Sequence, residues 1–357
     1  MEYTDSQKNI LIISMIKGVG PRSYMKLLGE FGSINQFLEA NKGEYSELLA
    51  SFWKVAKDIN LYLDRLSELD VKLTFLGDKD YPSSLASIYD PPLVLYYKGS
   101  LEIEVLNFSN LLSIVGSRTL NEYGKRTTKK FGEELANDFT LVSGMAIGAD
   151  SIVHEASLNA NKPTIAVLAS SVEKATPLAN YHLYDKIIRN GLIVSEYPIG
   201  TDPHLGHFPN RNRIVAGLSL GTLVTQARMN SGSLITPRLA IDQGRESFAI
   251  PGMITDTYHK GTNWLIQNNI AHMVLEPDDI RSILNIKDNS NKYKSNDIAF
   301  ENPIQVGIVD KLTSGSLNVD ELSILCKFSI NDINVNLSVL EMGGFVLRDN
   351  VGKYSLA

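Results

Sequence analysis

The sequence predicts an α/β protein built on a doubly wound parallel sheet, with a helical section before it and a small winged-helix-like section after it. Three observations predict this. Short aliphatic runs alternate with helical patterns across residues 71–285. Residues 1–70 show only helical periodicity. Residues 286–303, with KDNSNKYKSND inside, are polar and aperiodic, and read as a linker to a tail at 304–357.

In the first section, apolar residues recur at helical spacing in Ile10, Leu11, Ile13, Met15 and Ile16, and again through Tyr24, Leu27 and Leu28. Between them lies Gly18-Val19-Gly20-Pro21, the turn of a helix-hairpin-helix whose backbone N–H groups can hold a phosphate; a packed helical turn is the alternative. Eight Lys/Arg against ten Asp/Glu give this section no net attraction for DNA. In the middle section, Leu111–Val115, Thr140–Val142, Thr164–Leu168, Leu192–Val194, Thr222–Val224 and Ser247–Ile250 read as buried strands, aliphatic on both faces. Glu122–Ala136, Ser151–Ala160, Tyr181–Arg189 and Leu234–Gln243 read as helices, and Leu73–Leu76 and Leu93–Tyr97 as edge strands. The tail gives three short helical patterns and a small hairpin; its four Lys/Arg against six Asp/Glu suit a protein partner or packing as well as DNA.

The composition, 43% hydrophobic and 21% charged over 357 residues, is that of a folded chain of two or three domains. No run approaches the ~20 apolar residues of a spanning helix, and the N-terminus has no basic and apolar signal pattern, so a cytoplasmic location and no membrane association are expected. One cysteine, Cys326, excludes a disulfide scaffold or a cysteine metal cluster. A net charge of −6 allows nucleic-acid binding only where positive charge is gathered locally.

In such sheets ligands sit beyond the carboxyl ends of the strands. The first main strand runs into Gly116-Ser117-Arg118, an anion site at the mouth of a helix or an ordinary turn with a solvated arginine. The next ends in a glycine-rich loop to Asp150, which suits an N-cap and a structural job. His154, one turn further, reads as a packing residue. Residues 201–245 hold five arginines, no lysine and two acids, with Arg211-Asn212-Arg213 and the Ser231-Gly232-Ser233 turn before Thr236. Arginine favours bidentate phosphate contacts, and several phosphate-sized sites in a row suit a polynucleotide strand; structural ion pairs are the alternative. There is no Walker A motif, no Gly-x-Gly-x-x-Gly after a strand, no nucleophile elbow and no zinc set around His204 and His207. No catalytic residue, metal or cofactor is expected.

The segments IVGSRTLNEYG, LVSGMAIGADSIVHEASL, SEYPIGTDPHLGHFPNRNRIVAGLS, SGSLITPRLAIDQGRESFAIPG and GTNWLIQ, in this order across roughly residues 80–275, resemble the DNA-processing protein A family (DprA, also called Smf). The resemblance implies an extended Rossmann-like domain at 71–285 that binds single-stranded DNA, forms a homodimer, protects incoming strands in natural transformation and helps load the RecA recombinase, without catalysis. It implies DNA contacts at Gly116, Ser117, Arg118, Lys174, Asn180, Arg211, Asn212, Arg213, Ser231, Gly232, Ser233 and Thr236, and a dimer interface within Gly261–Val274 through Trp264, Leu265 and Met273. The chain departs from the family pattern at Thr176 and Leu178, where tyrosine and lysine are usual, so Lys174 is expected to stand in; Gln226 replaces a common glutamate. The other reading is a nucleotide phosphoribohydrolase of related fold, but Thr225 falls where that chemistry needs a carboxylate.

Overall fold

Aliphatic runs, buried on both faces, make the centre of a nine-stranded sheet. Its strands are β1 (Lys72–Phe75), β2 (Val94–Gly99), β3 (Leu111–Val115), β4 (Thr140–Ser143), β5 (Thr164–Val167), β6 (Leu192–Ser195), β7 (Gly221–Val224), β8 (Glu246–Ala249) and β9 (His272–Met273). The spatial order is β1-β2-β6-β5-β4-β3-β7-β8-β9. All pairings from β6 to β9 are parallel; β2 pairs antiparallel with both β1 and β6. This computed structural model describes residues 3–40, 43–286, 302–312, 315–342, 345–349 and 352–356. Most of the linker expected at 286–303 lies outside the described residues. The chain divides into two compact units, Met1–Asp288 and Asn289–Ala357.

Alternate residues of each strand serve opposite faces. In β3, Leu112 and Ile114 face a cluster with Phe131, Leu135 and Val153, which come from α7 (Glu122–Leu135) and α8 (Ala149–Asn159). Leu111 and Val115 face the other side, against Ile214, Val215 and Leu218 of α10 (His207–Leu218). The sheet therefore carries helices on both faces, as central strands buried on both sides require. The helix α10 was not expected from its sequence. Pro209 sits in its first turn, where a missing N–H is harmless, and the polar Asn210–Arg213 run hides its periodicity.

Residues 1–70 supply α1 (Asp5–Ser14), α2 (Pro21–Phe31), α3 (Ile34–Glu39), α4 (Ser46–Ala56) and α5 (Ile59–Glu68). A capping box between Thr4 and Gln7 starts α1, and Pro21 starts α2 after the expected glycine turn. Leu11, Ile13, Phe37, Phe52 and Leu66 share one apolar cluster with Phe75, Tyr96 and Ile193 of the sheet. The Tyr62 hydroxyl accepts from the Ile199 N–H at 3.0 Å and lies 3.4 Å from the Tyr96 hydroxyl.

In the second unit the helices Pro303–Leu312, Val319–Cys326 and Ile330–Met342 precede an antiparallel pair, β10 (Val346–Arg348) and β11 (Tyr354–Leu356). Ile308, Leu322, Ile333, Leu337 and Val346 form its core.

The parallel pair β5–β6 is closed so tightly at its start that a Cβ at Gly191 would lie 2.2 Å from the Thr164 carbonyl oxygen, a backbone atom that cannot swing aside. Gly191→Ala is expected to destabilise the protein by about 1–3 kcal/mol, read from the midpoint of urea unfolding at unchanged slope.

Candidate functional site

After β3 the chain winds outward through β4, β5 and β6; it then returns to β7 on the other side of β3 and continues to β8 and β9. The sheet therefore has its switch point between β3 and β7, where the connecting loops diverge and open a crevice. A cleft of about 460 Å³ lies there. Gly116, Ser117, Arg118 and Thr119 line it from the loop after β3, Gly144, Ala146 and Asp150 from the loop after β4, and Phe208, Arg211 and Asn212 from α10. The fourth wall is Arg228, Asn230, Ser231, Gly232, Ser233 and Thr236, ahead of and within α11 (Ile235–Asp242).

Arg118 is exposed at the cleft mouth, its guanidinium 5.1 Å from the Phe208 ring centroid. No ion pair among the described residues involves it. The cation is thus held by an aromatic face while its donors stay available. Opposite, the Ser231 hydroxyl accepts from the Ser233 N–H at 3.3 Å and lies 2.6 Å from the Ser233 hydroxyl.

Arg211 forms the floor and is buried. Its Nη1 donates to the Gly144 carbonyl at 2.5 Å and to the Val167 carbonyl, and its Nε to Asn212 Oδ1 at 3.2 Å. Burial pushes the buried Asp150 carboxyl up, and the Arg211 charge pulls it back. Burial likewise lowers the Arg211 pKa, with Asp150 acting against it and Arg118 adding to it. A Cβ at Gly144 would lie 2.4 Å from the guanidinium, so a side chain there would displace Arg211 from its carbonyls. Asp150 is not the N-cap expected from the sequence. Gly148 holds that position, and Asp150 reaches back to accept from the Ala146 N–H at 3.2 Å, stiffening the glycine loop.

The cleft thus gathers Gly116, Ser117, Arg118, Arg211, Asn212, Ser231, Gly232, Ser233 and Thr236. Three expected contacts are not among its lining residues. Arg213 is buried and pairs with Glu196 and, at 3.3 Å, with Asp90, the structural ion pair the sequence left open. Lys174 pairs with Asp202 at 2.5 Å on the surface. Asn180 donates to the Met145 carbonyl at 2.8 Å and to Ser151 Oγ at 2.9 Å, bracing the glycine loop from behind. Of the expected interface residues, Leu265 is fully buried in its own chain and beyond a partner's reach. Trp264 is half-buried under the Arg238 guanidinium, and Met273 is exposed. Arg228, missed from sequence, lines the cleft. It looked like any of five arginines; its place just past β7 was the available signal.

Among the described residues no cluster of three or more His, Cys, Asp or Glu fits a metal, and no helix is long and apolar enough to cross a membrane. His154 is buried, with Nδ1 2.8 Å from the Thr164 hydroxyl, and burial lowers its pKa to about 3.

The profile of the family described as DNA recombination-mediator protein A matches residues 72–285. The chain is 42% identical to DNA processing protein DprA of Streptococcus pneumoniae over 203 residues, 57% of this chain and 71% of that one. It is 40% identical to DNA processing protein DprA of Bacillus subtilis over 206 residues, 57% and 68% respectively. The crystal structure of the S. pneumoniae DprA superimposes with a TM-score of 0.66 at 33% identity, covering 79% of this chain and 98% of that one. DNA processing protein A of Helicobacter pylori, a structure reported for its single-stranded DNA binding mode, gives 0.54 at 31% identity, covering 60% and 95%.

The buried His154 sets a pH dependence. Its folded pKa lies below the ordinary 6.5, so below that pH the unfolded chain binds a proton that the folded chain refuses. Stability from this residue is full above pH 6.5 and falls as pH drops toward 3. Its imidazole NMR signals are expected to stay those of the neutral ring between about pH 5 and 8, where an ordinary histidine titrates.

Proposed function

Because the chain belongs to the DNA recombination-mediator protein A family, we propose that it binds single-stranded DNA in the switch-point cleft and acts as a recombination mediator in natural transformation. The observation that carries this reading is Arg118. It is an exposed cation without an ion pair among the described residues, set at a strand end across from the Ser231–Ser233 donors. A guanidinium at that place offers two parallel donors to a phosphate. Gly116 and Ser117 let the backbone come close on one side, and Asn212, Gly232 and Thr236 add polar contacts or space on the other. Arg211 contributes the positive potential of the floor while its own donors hold carbonyls.

The reading extends to partners and compartment. The protein acts as a homodimer in the cytoplasm and hands its strand to RecA, with Trp264 and Met273 contributing to the self-association face. Residues 1–70, 71–285 and 304–357 are its three functional sections, the last a winged helix.

The protein has no catalytic step in this role. A phosphoribohydrolase needs a carboxylate on the sugar bond. Thr225 is buried and accepts from the Thr128 hydroxyl at 2.8 Å, and the one carboxylate lining the cleft, Asp150, is engaged with Arg211 and Ala146. Incubation with nucleoside monophosphates is expected to release no free base above the buffer rate.

Arg118→Ala is expected to weaken binding of all single-stranded sequences alike and to make the log–log salt slope shallower by ~0.7, with the melting temperature unchanged. Arg118→Lys recovers part of the affinity, since it keeps the charge and loses the fork. A variant that melts early while its folded fraction binds normally would make Arg118 a structural residue and remove the site.

A further inference from the structure

The polar groups of the cleft suit phosphates, and its one aromatic side chain, Phe208, already carries the Arg118 guanidinium, so the bases of a bound strand need further surface. Residues 251–259, after β8, are fastened to the segments that follow Thr119 and precede Arg228, two of the residues that line the cleft. On one side Tyr123 Oη donates to the Pro251 carbonyl at 3.2 Å and Asn121 Nδ2 donates to Asp256 Oδ2 at 2.8 Å, tying the loop to the start of α7 just beyond Arg118. On the other side Gly261 N donates to the Ala227 carbonyl at 2.8 Å, and Gln226 Nε2 faces His259 Nε2 at 2.7 Å. Asn263 closes the base of the loop, donating to the Gly252 carbonyl at 3.0 Å and accepting from its N–H at 3.1 Å. Within the loop, the Asp256 N–H bonds to the Met253 carbonyl at 3.0 Å and the His259 N–H to the Asp256 carbonyl at 3.1 Å.

This fastened loop turns large apolar side chains to the outside. Met253 is 74% exposed and Ile254 87% exposed. The Arg228 guanidinium, one wall of the cleft, lies 4.1 Å from the centroid of the Tyr258 ring, so a planar pair joins the cleft to the loop. The Asp256 carboxylate beside them disfavours a phosphate. Planar and apolar surface next to a backbone site, with an acid that repels the backbone itself, is the chemistry that receives unstacked nucleobases.

We propose that residues 251–259, together with Arg228, form a base-stacking shelf. Bases of the strand whose phosphates rest in the cleft stack on the Arg228–Tyr258 pair and on Met253 and Ile254. The shelf rests on the reading of the cleft as a single-strand phosphate site. It is indifferent to base identity, because every base has a π-face, and it excludes the bases of a duplex, whose faces are already covered by their stacked neighbours.

The test uses the full chain and two fluorescent probes of equal length, an oligothymidylate and an abasic oligonucleotide with the same phosphodiester backbone, each titrated over a salt series. The double variant Met253→Ser/Ile254→Ser and the single variant Tyr258→Ala are expected to bind the oligothymidylate about tenfold more weakly while binding the abasic strand as the parent does, with the same salt slope. Equal weakening on both probes, or no weakening on either, overturns the shelf. A double variant that binds both probes normally but loses mass in light scattering would make the apolar tip a protein contact and likewise overturn it. Arg118→Ala, run in parallel, weakens both probes if the cleft reading holds. A base-specific loss in the shelf variants with an inert Arg118→Ala keeps the base contacts of the shelf and overturns Arg118 as the phosphate site beside it. Should Tyr258→Ala fail to fold, the exposed Met253/Ile254 pair carries the test alone.

Discussion

Arg211 is a charge taken out of water, and a buried charge is tolerated only when it is paired and its donors are used. Here the charge of Asp150 balances it through space, without a direct ion pair, and the donors go to the Gly144 and Val167 carbonyls. Gly144 lies just past β4 and Val167 is the last residue of β5, while Arg211 itself comes from α10 and Asp150 from α8. One side chain from α10 therefore ties that helix to two strand ends. The loops that line the cleft diverge from this knot. Breaking it would leave Asp150 buried without its counter-charge, so the cleft's shape and the local stability are a single property of the structure. Gly144 is part of the same arrangement, since any side chain there would occupy the guanidinium's place.

The positive character of the site arises by selection among the arginines rather than by their number. Of the five between residues 201 and 245, Arg213 is paired with two acids, Arg238 covers Trp264, and Arg245 donates to the Ser84 carbonyl at 2.9 Å. Arg211 and Arg228 remain at the cleft, joined by Arg118 from another loop. A protein of net charge −6 thus presents cations in one place. Lys174, the cation that stands nearest the departure at Leu178, is neutralised by Asp202 at the surface.

The sheet was legible because its strands are buried on both faces, which forces continuous aliphatic runs such as Leu111–Val115 that nothing else in a folded chain requires. The switch-point loops were legible for a related reason: Gly116-Ser117-Arg118 follows a strand directly. What sequence could not resolve was which arginine faces which way. Arg211 and Arg213 are two residues apart on α10, which rotates one toward the cleft and the other toward Asp90 and Glu196. That helix was itself hidden by its polar first turns. Asp150 misled as an N-cap because its carboxylate does satisfy a backbone N–H, but one in the loop behind the helix. Leu265 was offered to a partner because the resemblance marks a segment and does not say which of its apolar side chains point inward.

The stretch that matches the family begins at residue 72, yet the apolar cluster does not respect that boundary. Phe75 and Tyr96 on the antiparallel β1–β2 ribbon and Ile193 on β6 are covered by Leu11, Phe37, Phe52 and Leu66 from the helices in front. A chain shortened to its recognisable part would bare a continuous greasy face on one flank of the sheet. Such a fragment would be expected to clump and to be degraded before its cleft met any ligand. The leading helices therefore act as a cover for one flank of the part of the molecule that carries the site.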